Sequence, residues 1–300
     1  MSGYTRPALY RCHVCGETGG STILATGAHI LVRCPSCHIV GLWPRPSEAE
    51  LTAAYAEGYW DAPAKIGRPG LAYRLRMSGV ARRLASLAKG GARLLDMGSG
   101  DGAFLRLAES FGLDAWGIDR YAPAGAGSRQ HEGDFTATGF ESGYFQLVTM
   151  FHVLEHLPDP RAALAEAHRL LAVDGVLMIE VPNADSLVLA LAGRRWQPLE
   201  IPTHLSFFST DSLNRLVESV GTWELLSTSH FSWRASPAAL VLTVLPGLQP
   251  KAVRRRNGGR YPVALAAMYL VLQILAIPAV AGTALLGRGC IIRMIFRKKQ

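Results

Sequence analysis

From residue 92 onward, short apolar runs alternate with stretches whose apolar residues recur at helical spacing. Arg93–Met97, Ala115–Asp119, Phe145–Phe151 and Val176–Pro182 read as strands, and Ala103–Phe111, Pro160–Leu171 and Thr210–Val220 as helices. That alternation predicts an α/β fold, a doubly wound parallel sheet with helices on both faces. Upstream, residues 71–88 carry Leu and Val at helical spacing with Arg between them, and Ser47-Glu48-Ala49-Glu50 fits a capping box. The chain divides into a strand-like, cysteine-bearing 1–45, a helical linker or cap 46–90, a core 91–236, an apolar insertion 237–287 and a last strand within 288–300.

The 300 residues are 49% hydrophobic, enough for a sizeable core, and only 18% charged. Disordered, collagen-like and coiled-coil classes are thereby excluded. The net charge of +8 matters only once it is located. Ten of the 31 Lys and Arg fall in 251–300, which holds no acid, so 21 remain against 23 acids elsewhere. The excess flanks one apolar stretch, as expected for an anionic membrane surface, and nucleic acid is not the expected partner. The first residues, MSGYTRPALYRC, hold no apolar run of signal-peptide length, so a cytoplasmic, reducing setting is expected.

In such a setting Cys12-His-Val-Cys15 and Cys34-Pro-Ser-Cys37 read as two metal-binding knuckles. Two C-x2-C pairs at this spacing place four thiolates tetrahedrally around zinc and leave no open position, so Cys12, Cys15, Cys34 and Cys37 form a structural site. His13 and His38 are read as bystanders, and Cys290 as an ordinary strand residue.

Leu94-Leu95-Asp96-Met97-Gly98-Ser99-Gly100-Asp101-Gly102-Ala103 is a strand, a glycine turn and a helix start. It satisfies the dinucleotide fingerprint loosely, so an NAD enzyme is weighed. Against it, Asp96 ends the strand where a pyrophosphate site keeps an apolar residue; an acid there suits a cationic ligand. Asp119, 23 residues on at the end of the next strand, is placed to accept from both hydroxyls of a ribose.

The loop Asp96-x-Gly98-x-Gly100-x-Gly102, the acid in Trp116-Gly117-Ile118-Asp119 and the segment FQLVTMFHVLEHLPDP (145–160) resemble class I S-adenosylmethionine-dependent methyltransferases. Within them the chain is similar to a bacterial group with an N-terminal four-cysteine zinc knuckle and a Pro-x-His-x-x-Phe-Phe-Ser segment, here Pro202–Ser209. The resemblance implies a seven-stranded Rossmann-like sheet with an N-terminal zinc ribbon and an apolar helical insertion before the last strand. It also implies S-adenosylmethionine as cofactor, with the methionine part near Asp96, Gly98 and Gly100, the ribose on Asp119 and the adenine near Asp134 and Phe135. Ser99, Gly102, Arg120 and Phe151 complete the expected cofactor set. Gln146 departs from the Asp usual at that position, which in the family supports backbone.

His152-Val-Leu-Glu155-His156 matches an inverted zincin pattern, but His152 ends a strand, so the helical geometry of a protease is not expected. Some methyltransferases of this fold hold a divalent ion with a Glu-His pair here and a later His, for which His204 is the candidate. As catalytic residues His152 is the candidate general base and His204 the second choice. The expected acceptor is a small or lipid-linked hydroxyl compound such as a glycan, polyketide or quinone-type intermediate. An RNA methyltransferase using the zinc ribbon as RNA-binding module, or a non-catalytic S-adenosylmethionine-binding module, are the alternatives. The 27 uncharged residues between Arg260 and Arg288 are long enough to cross a bilayer, yet a strand on each side returns the chain to one sheet. Pro278 and Gly282 offer a break, so a re-entrant hairpin or an in-plane helix pair on the inner face of the membrane is expected, with a buried helical lid or dimer face and a single span as the alternatives.

Overall fold

The computed structural model describes residues 10–56, 70–88, 91–120 and 129–300. Along the chain run β1 (Ser21–Thr26), β2 (His29–Arg33), β3 (Val40–Trp43), α1 (Glu48–Ala56), α2 (Leu71–Leu87), β4 (Arg93–Met97), α3 (Ala103–Glu109), β5 (Asp114–Asp119), β6 (Gln130–Glu132) and β7 (Phe145–Phe151). Next come α4 (Pro160–Leu170), β8 (Leu171–Pro182), α5 (Leu187–Ala192), β9 (Ser206–Phe207), α6 (Thr210–Glu218), β10 (Trp223–Ser229), α7 (Ser236–Val244), α8 (Pro250–Arg256), α9 (Val263–Leu285) and β11 (Ile291–Lys298). Parts of the expected 46–90 cap, residues 57–69 and 89–90, lie outside the described residues.

The chain forms two compact units. One comprises Ala62–Val181, Leu213–Thr228 and Arg293–Gln300; the other Met1–Asp61, Pro182–Ser212 and Ser229–Ile292. The first holds a seven-stranded sheet in the order β10-β11-β8-β7-β4-β5-β6. β4 pairs in parallel with β5 and β7, β5 with β6, and β7 with β8. The last strand therefore enters between β10 and β8. Leu94, Leu147, Val176 and Met178 of the sheet pack with Phe104, Leu107 and Ala108 of α3. α2 closes this core with Met77, Val80, Ala81 and Leu84, so 71–87 serves the sheet it precedes.

Local chemistry explains the joints. Pro160 opens α4 where its missing N–H costs nothing, and Asp159 caps the helix by accepting from the Ala162 N–H at 3.0 Å. Gln146 Oε1 accepts from the Arg93 N–H at 3.0 Å, so this side chain does support backbone. The polar segment Gln130–Glu132 has no strand pattern in the sequence and becomes β6 because β5 offers it a free edge.

In the other unit β1, β2 and β3 form an antiparallel meander, and the two-residue β9 adds to β3. Its core joins Leu31, Val40 and Leu42 of that sheet to Trp196, Phe207, Cys290 and Ile291. The capping box at α1 forms as expected: Ser47 N–H donates to Glu50 Oε2 at 2.8 Å, and Glu50 N–H to Ser47 Oγ at 3.2 Å. α7 buries Val241 and Leu242 against Leu265, Tyr269, Leu272 and Ala276 of α9.

Two expectations about the insertion need correction. α9 runs unbroken through Pro278, and Gly282 causes no turn, so there is no hairpin at these residues. One proline removes a single hydrogen bond from the helix, and Val280 beyond it is buried. The ten C-terminal cations also do not all flank the apolar segment. Arg293 pairs with Glu180, Lys299 with Glu224 at 2.6 Å, and Lys298 donates to the carbonyls of His168 and Leu171. Lys251, Arg254, Arg255, Arg256, Arg260 and Arg288 are the cations that share a unit with α9.

Leu147 is fully buried in the central strand β7. Leu147→Ala leaves a cavity there and should lower stability by about 2–5 kcal/mol, read from the urea midpoint of the purified protein.

Candidate functional site

β4 and β5 end side by side, pairing Met97 with Ile118, and the glycine turn begins where they stop. Gly98, Gly100 and Gly102 all take the left-handed backbone, at φ 84°, 56° and 70°. At Gly98 the requirement is also steric, because a Cβ would lie 2.3 Å from Cγ2 of Val153. The turn is tied to β5 by its N–H groups: those of Gly98 and Ser99 donate to the Ile118 carbonyl at 2.7 and 3.2 Å. Gly100 N–H donates to Oδ2 of Asp119 at 2.8 Å. Gln130 Nε2 closes the far side, donating to Ser99 Oγ and the Gly100 carbonyl at 2.9 and 2.7 Å.

Two carboxylates are therefore held at adjacent strand ends. Asp96 is 3% exposed and accepts from Thr149 Oγ1 at 2.7 Å; Asp119 is 6% exposed. Past β6, Asp134 accepts from the N–H and Oγ1 of Thr136 at 2.8 and 2.7 Å, which holds its carboxyl below the usual range. Arg120 lies 3.6 Å from it. Phe135 and Phe151 are buried, Phe151 packing edge-on against Phe104. All ten residues expected to meet the cofactor belong to this unit, at the ends of β4, β5 and β7 or on the loops that follow β4, β5 and β6.

His152 comes directly after β7, in the left-handed region at φ 57°. A non-glycine residue held there costs about 1–3 kcal/mol unless its surroundings enforce it. Here they do. Its Nδ1 donates to Glu155 Oε1 at 3.1 Å and its Nε2 to Glu180 Oε1 at 3.2 Å. Arg293 donates to the other Glu180 oxygen from Nε at 2.8 Å. Both glutamate side chains are fully buried, so two carboxylates are balanced by an imidazolium and a guanidinium. Burial alone would lower the imidazole pKa, but the bonds from Glu155 and Glu180 outweigh it and raise it to about 9.

This counts against the reading of His152 as a general base. A ring protonated at neutral pH, with both nitrogens donating to buried carboxylates, has no lone pair to offer an acceptor proton. The network instead fixes Val153, the residue seated under Gly98. Glu180 and Arg293 could not be connected to His152 from the sequence, since they lie 28 and 141 positions away on other strands. Glu155 and His156 form the short 3₁₀ turn that comes next, not an α-helix, which removes the inverted zincin geometry. His204 belongs to the other unit, buried, its Nδ1 donating to the Pro198 carbonyl at 2.7 Å.

The four cysteines also gather in that unit. Cys12 Sγ lies 3.6 Å from Cys37 Sγ, Cys15 Sγ lies 3.5 Å from Cys34 Sγ, and all four sulfurs fall within 4.8 Å of one another. Sulfurs at the corners of a tetrahedron with ~2.3 Å bonds to zinc stand ~3.8 Å apart, so the set fits that ion. The contact between Cys12 and Cys37 lowers the pKa of the Cys12 thiol and raises that of Cys37. His13 and His38 turn elsewhere, to Ser206 Oγ at 2.7 Å and Asp211 at 3.2 Å.

A sheet in this order, parallel from β8 to β6, with a glycine turn after β4 and an acid near the ends of β4 and β5, defines a Rossmann-like domain. The chain belongs to the class I S-adenosylmethionine-dependent methyltransferases: the family described as a methyltransferase domain matches residues 71–225. Among curated relatives, it is 31% identical over 158 residues to a ubiquinone biosynthesis O-methyltransferase of Xanthomonas oryzae pv. oryzae, covering 49% of this chain and 65% of that protein. It is 28% identical over 193 residues to the protein of the same name from Methylococcus capsulatus, covering 58% and 80%. The chain thus spans somewhat under two thirds of the first relative's length. Among solved structures, that of the 4+2 cyclase SpnF aligns with a TM-score of 0.51 at 18% identity, over 85% of this chain and 97% of that one, a likeness of fold.

The His152 network carries a pH signature. A pKa raised on folding stabilises the folded state fully below the unfolded value of ~6.5 and loses that contribution as pH rises through about 9. The urea midpoint should therefore fall between neutral pH and pH ~9.5, and fall less in His152→Asn, which keeps a side chain suited to the left-handed backbone.

Proposed function

We propose that this protein transfers a methyl group from S-adenosylmethionine to the oxygen of a small or lipid-linked acceptor, with a quinone-type phenol favoured. The observation that carries the reading is the pair of buried carboxylates, Asp96 and Asp119, joined by a glycine turn whose Gly100 N–H is already spent on Asp119. Such a turn presents negative charge where a pyrophosphate would need donors, and suits the cationic methionine end and ribose of this cofactor. Bound there, S-adenosylmethionine supplies a sulfonium methyl that needs no acid to activate it. The name of the relatives supports oxygen as the acceptor atom.

The roles proposed for the site residues follow from this reading. Asp119 binds the ribose hydroxyls, Asp96 the methionine end with Gly98, Ser99, Gly100 and Gly102 passing beneath, and Asp134, Phe135, Arg120 and Phe151 surround the adenine. His152 is a positioning residue that sets Val153 under the turn. His204 lies in the other unit, with Nδ1 bound to the Pro198 carbonyl and Nε2 3.9 Å from Glu200 Oε2, and is given no catalytic role. The four cysteines hold a structural zinc that orders the N-terminal meander.

The setting is the cytoplasmic face of a membrane. Among the described residues α9 is the one helix long and apolar enough to cross a bilayer, and most of it is not buried in the protein. The basic residues of α8 stand beside it in the chain.

Calorimetry should show S-adenosylmethionine binding and no NADH binding, with Asp119→Ala weakening it by about 1.5–3 kcal/mol through loss of charge-assisted bonds. Methyl-labelled cofactor and a membrane extract should then yield a labelled lipid ether. NADH binding in place of S-adenosylmethionine sinks the reading.

Elemental analysis should find one zinc per chain. Cys34→Ser should lose it together with the meander, seen as new amide exchange in β1–β3, because structural zinc contributes folding free energy directly.

A further inference from the structure

The unit that carries α9 also contains a cavity of about 890 Å³ that the methyl-transfer reading does not use. Its walls come from the turn after α5 and from the C-terminal end of α7. Leu199, Ile201, Leu242 and Val244 make it apolar, and Arg194 and Arg195 bring two guanidinium groups to it. Both arginines are exposed, on the short 3₁₀ turn Gly193–Arg195. The single lining acid, Glu200, has its Oε1 occupied by Gln197 Nε2 at 2.6 Å. The volume lies in the range of sites that hold a small organic molecule, and two adjacent guanidinium groups match the oxygens of a phosphate in forked pairs.

The cavity's position says which phosphate. Val244, on its wall, is 67% exposed, and the next residue, Leu245, is exposed too. From there the chain passes Gln249, also on the wall, into α8 with Lys251, Arg254, Arg255 and Arg256. α9 packs on α7 at Val241 and Leu242, the latter also on the cavity wall, and exposes Val271, Ile274 and Leu275. An apolar cavity with cationic groups, continuous through α7 with an apolar surface, fits a molecule that is itself half apolar and half anionic.

We propose that this cavity binds a phosphate monoester carried on an apolar chain, either phosphatidic acid of the leaflet or a lipid-linked phosphate. Arg194 and Arg195 hold the phosphate, and the α7 wall takes the first carbons of the chain. The inference rests on the membrane setting proposed above, and the two are separable. The cavity is probed with short-chain amphiphiles free in solution; the setting is probed with vesicles.

The test uses the full chain. Calorimetry with dihexanoyl phosphatidic acid should show saturable binding, at least about tenfold tighter than inorganic phosphate and than dihexanoyl phosphatidylcholine. Arg194→Gln/Arg195→Gln, a surface change that spares the core, should weaken it at least about tenfold and leave S-adenosylmethionine binding unchanged. Farnesyl phosphate binding more tightly than the diacyl lipid assigns the site to a lipid-linked phosphate, and the reverse to a leaflet lipid. A double variant that binds like the wild type, or inorganic phosphate binding as tightly as the amphiphile, overturns the proposal. Separately, failure to sediment with phosphatidylglycerol vesicles while short-chain binding persists removes the membrane setting and leaves the cavity.

Discussion

The hydrogen bond from Gly100 N–H to the Asp119 carboxylate, 2.8 Å long, sets the terms for the rest of the catalytic unit. It can form only if three residues of the turn adopt positive φ, which glycine does without the Cβ penalty. It also requires β4 and β5 to end level, which their parallel register provides. Once formed, it commits the turn's donor to the protein. The crevice is then electronegative, and that alone separates this turn from a phosphate cradle, where the same N–H would point to the ligand.

The glycine turn also dictates the path of the chain beyond β7. Because Gly98 has no side chain, Val153 approaches its backbone, and the chain must reverse sharply after Phe151 to deliver it. His152 makes that reversal in a strained backbone region, held by carboxylates on two sides and, through Glu180, by Arg293 of the last strand. A charge network this buried is weak evidence for net stability. Its geometric consequence is clearer: the turn after β7, β8 and the last strand are tied in one chain through His152, Glu180 and Arg293, which fixes the loop that carries Val153.

The reach of each signal decides how much of this was legible in the sequence. Strands with unbroken apolar runs, the glycine turn with its two acids and the paired cysteines are local signals, and each needs only a few neighbouring residues to state its chemistry. β9 could not be seen, because Ser206–Phe207 is a strand only by virtue of pairing with β3. The state of His152 was hidden for the same reason, as its ring partner Glu180 is set by the pairing of β7 with β8. Pro278 was misleading in the opposite sense: a strong local breaker signal yielded to a helix already packed along α7.

The length of the apolar insertion bears directly on its relation to a bilayer. α9 has 23 residues, about 34 Å at ~1.5 Å per residue, which matches a hydrocarbon core of ~30 Å. A crossing would need a return, because the chain leaves the sheet unit before α7 and re-enters it in β11. Among the described residues the helix packed along α9 that could serve as that leg is α7, with nine residues and about 14 Å, less than half the thickness. The link between them carries Lys251, Arg254, Arg255, Arg256 and Arg260, which a crossing would have to place on the far side. The positive-inside bias counts against placing five cations there, and at an anionic headgroup layer each gains about 1 kcal/mol. Of the two packed helices, then, α9 has the length to cross a bilayer and α7 does not.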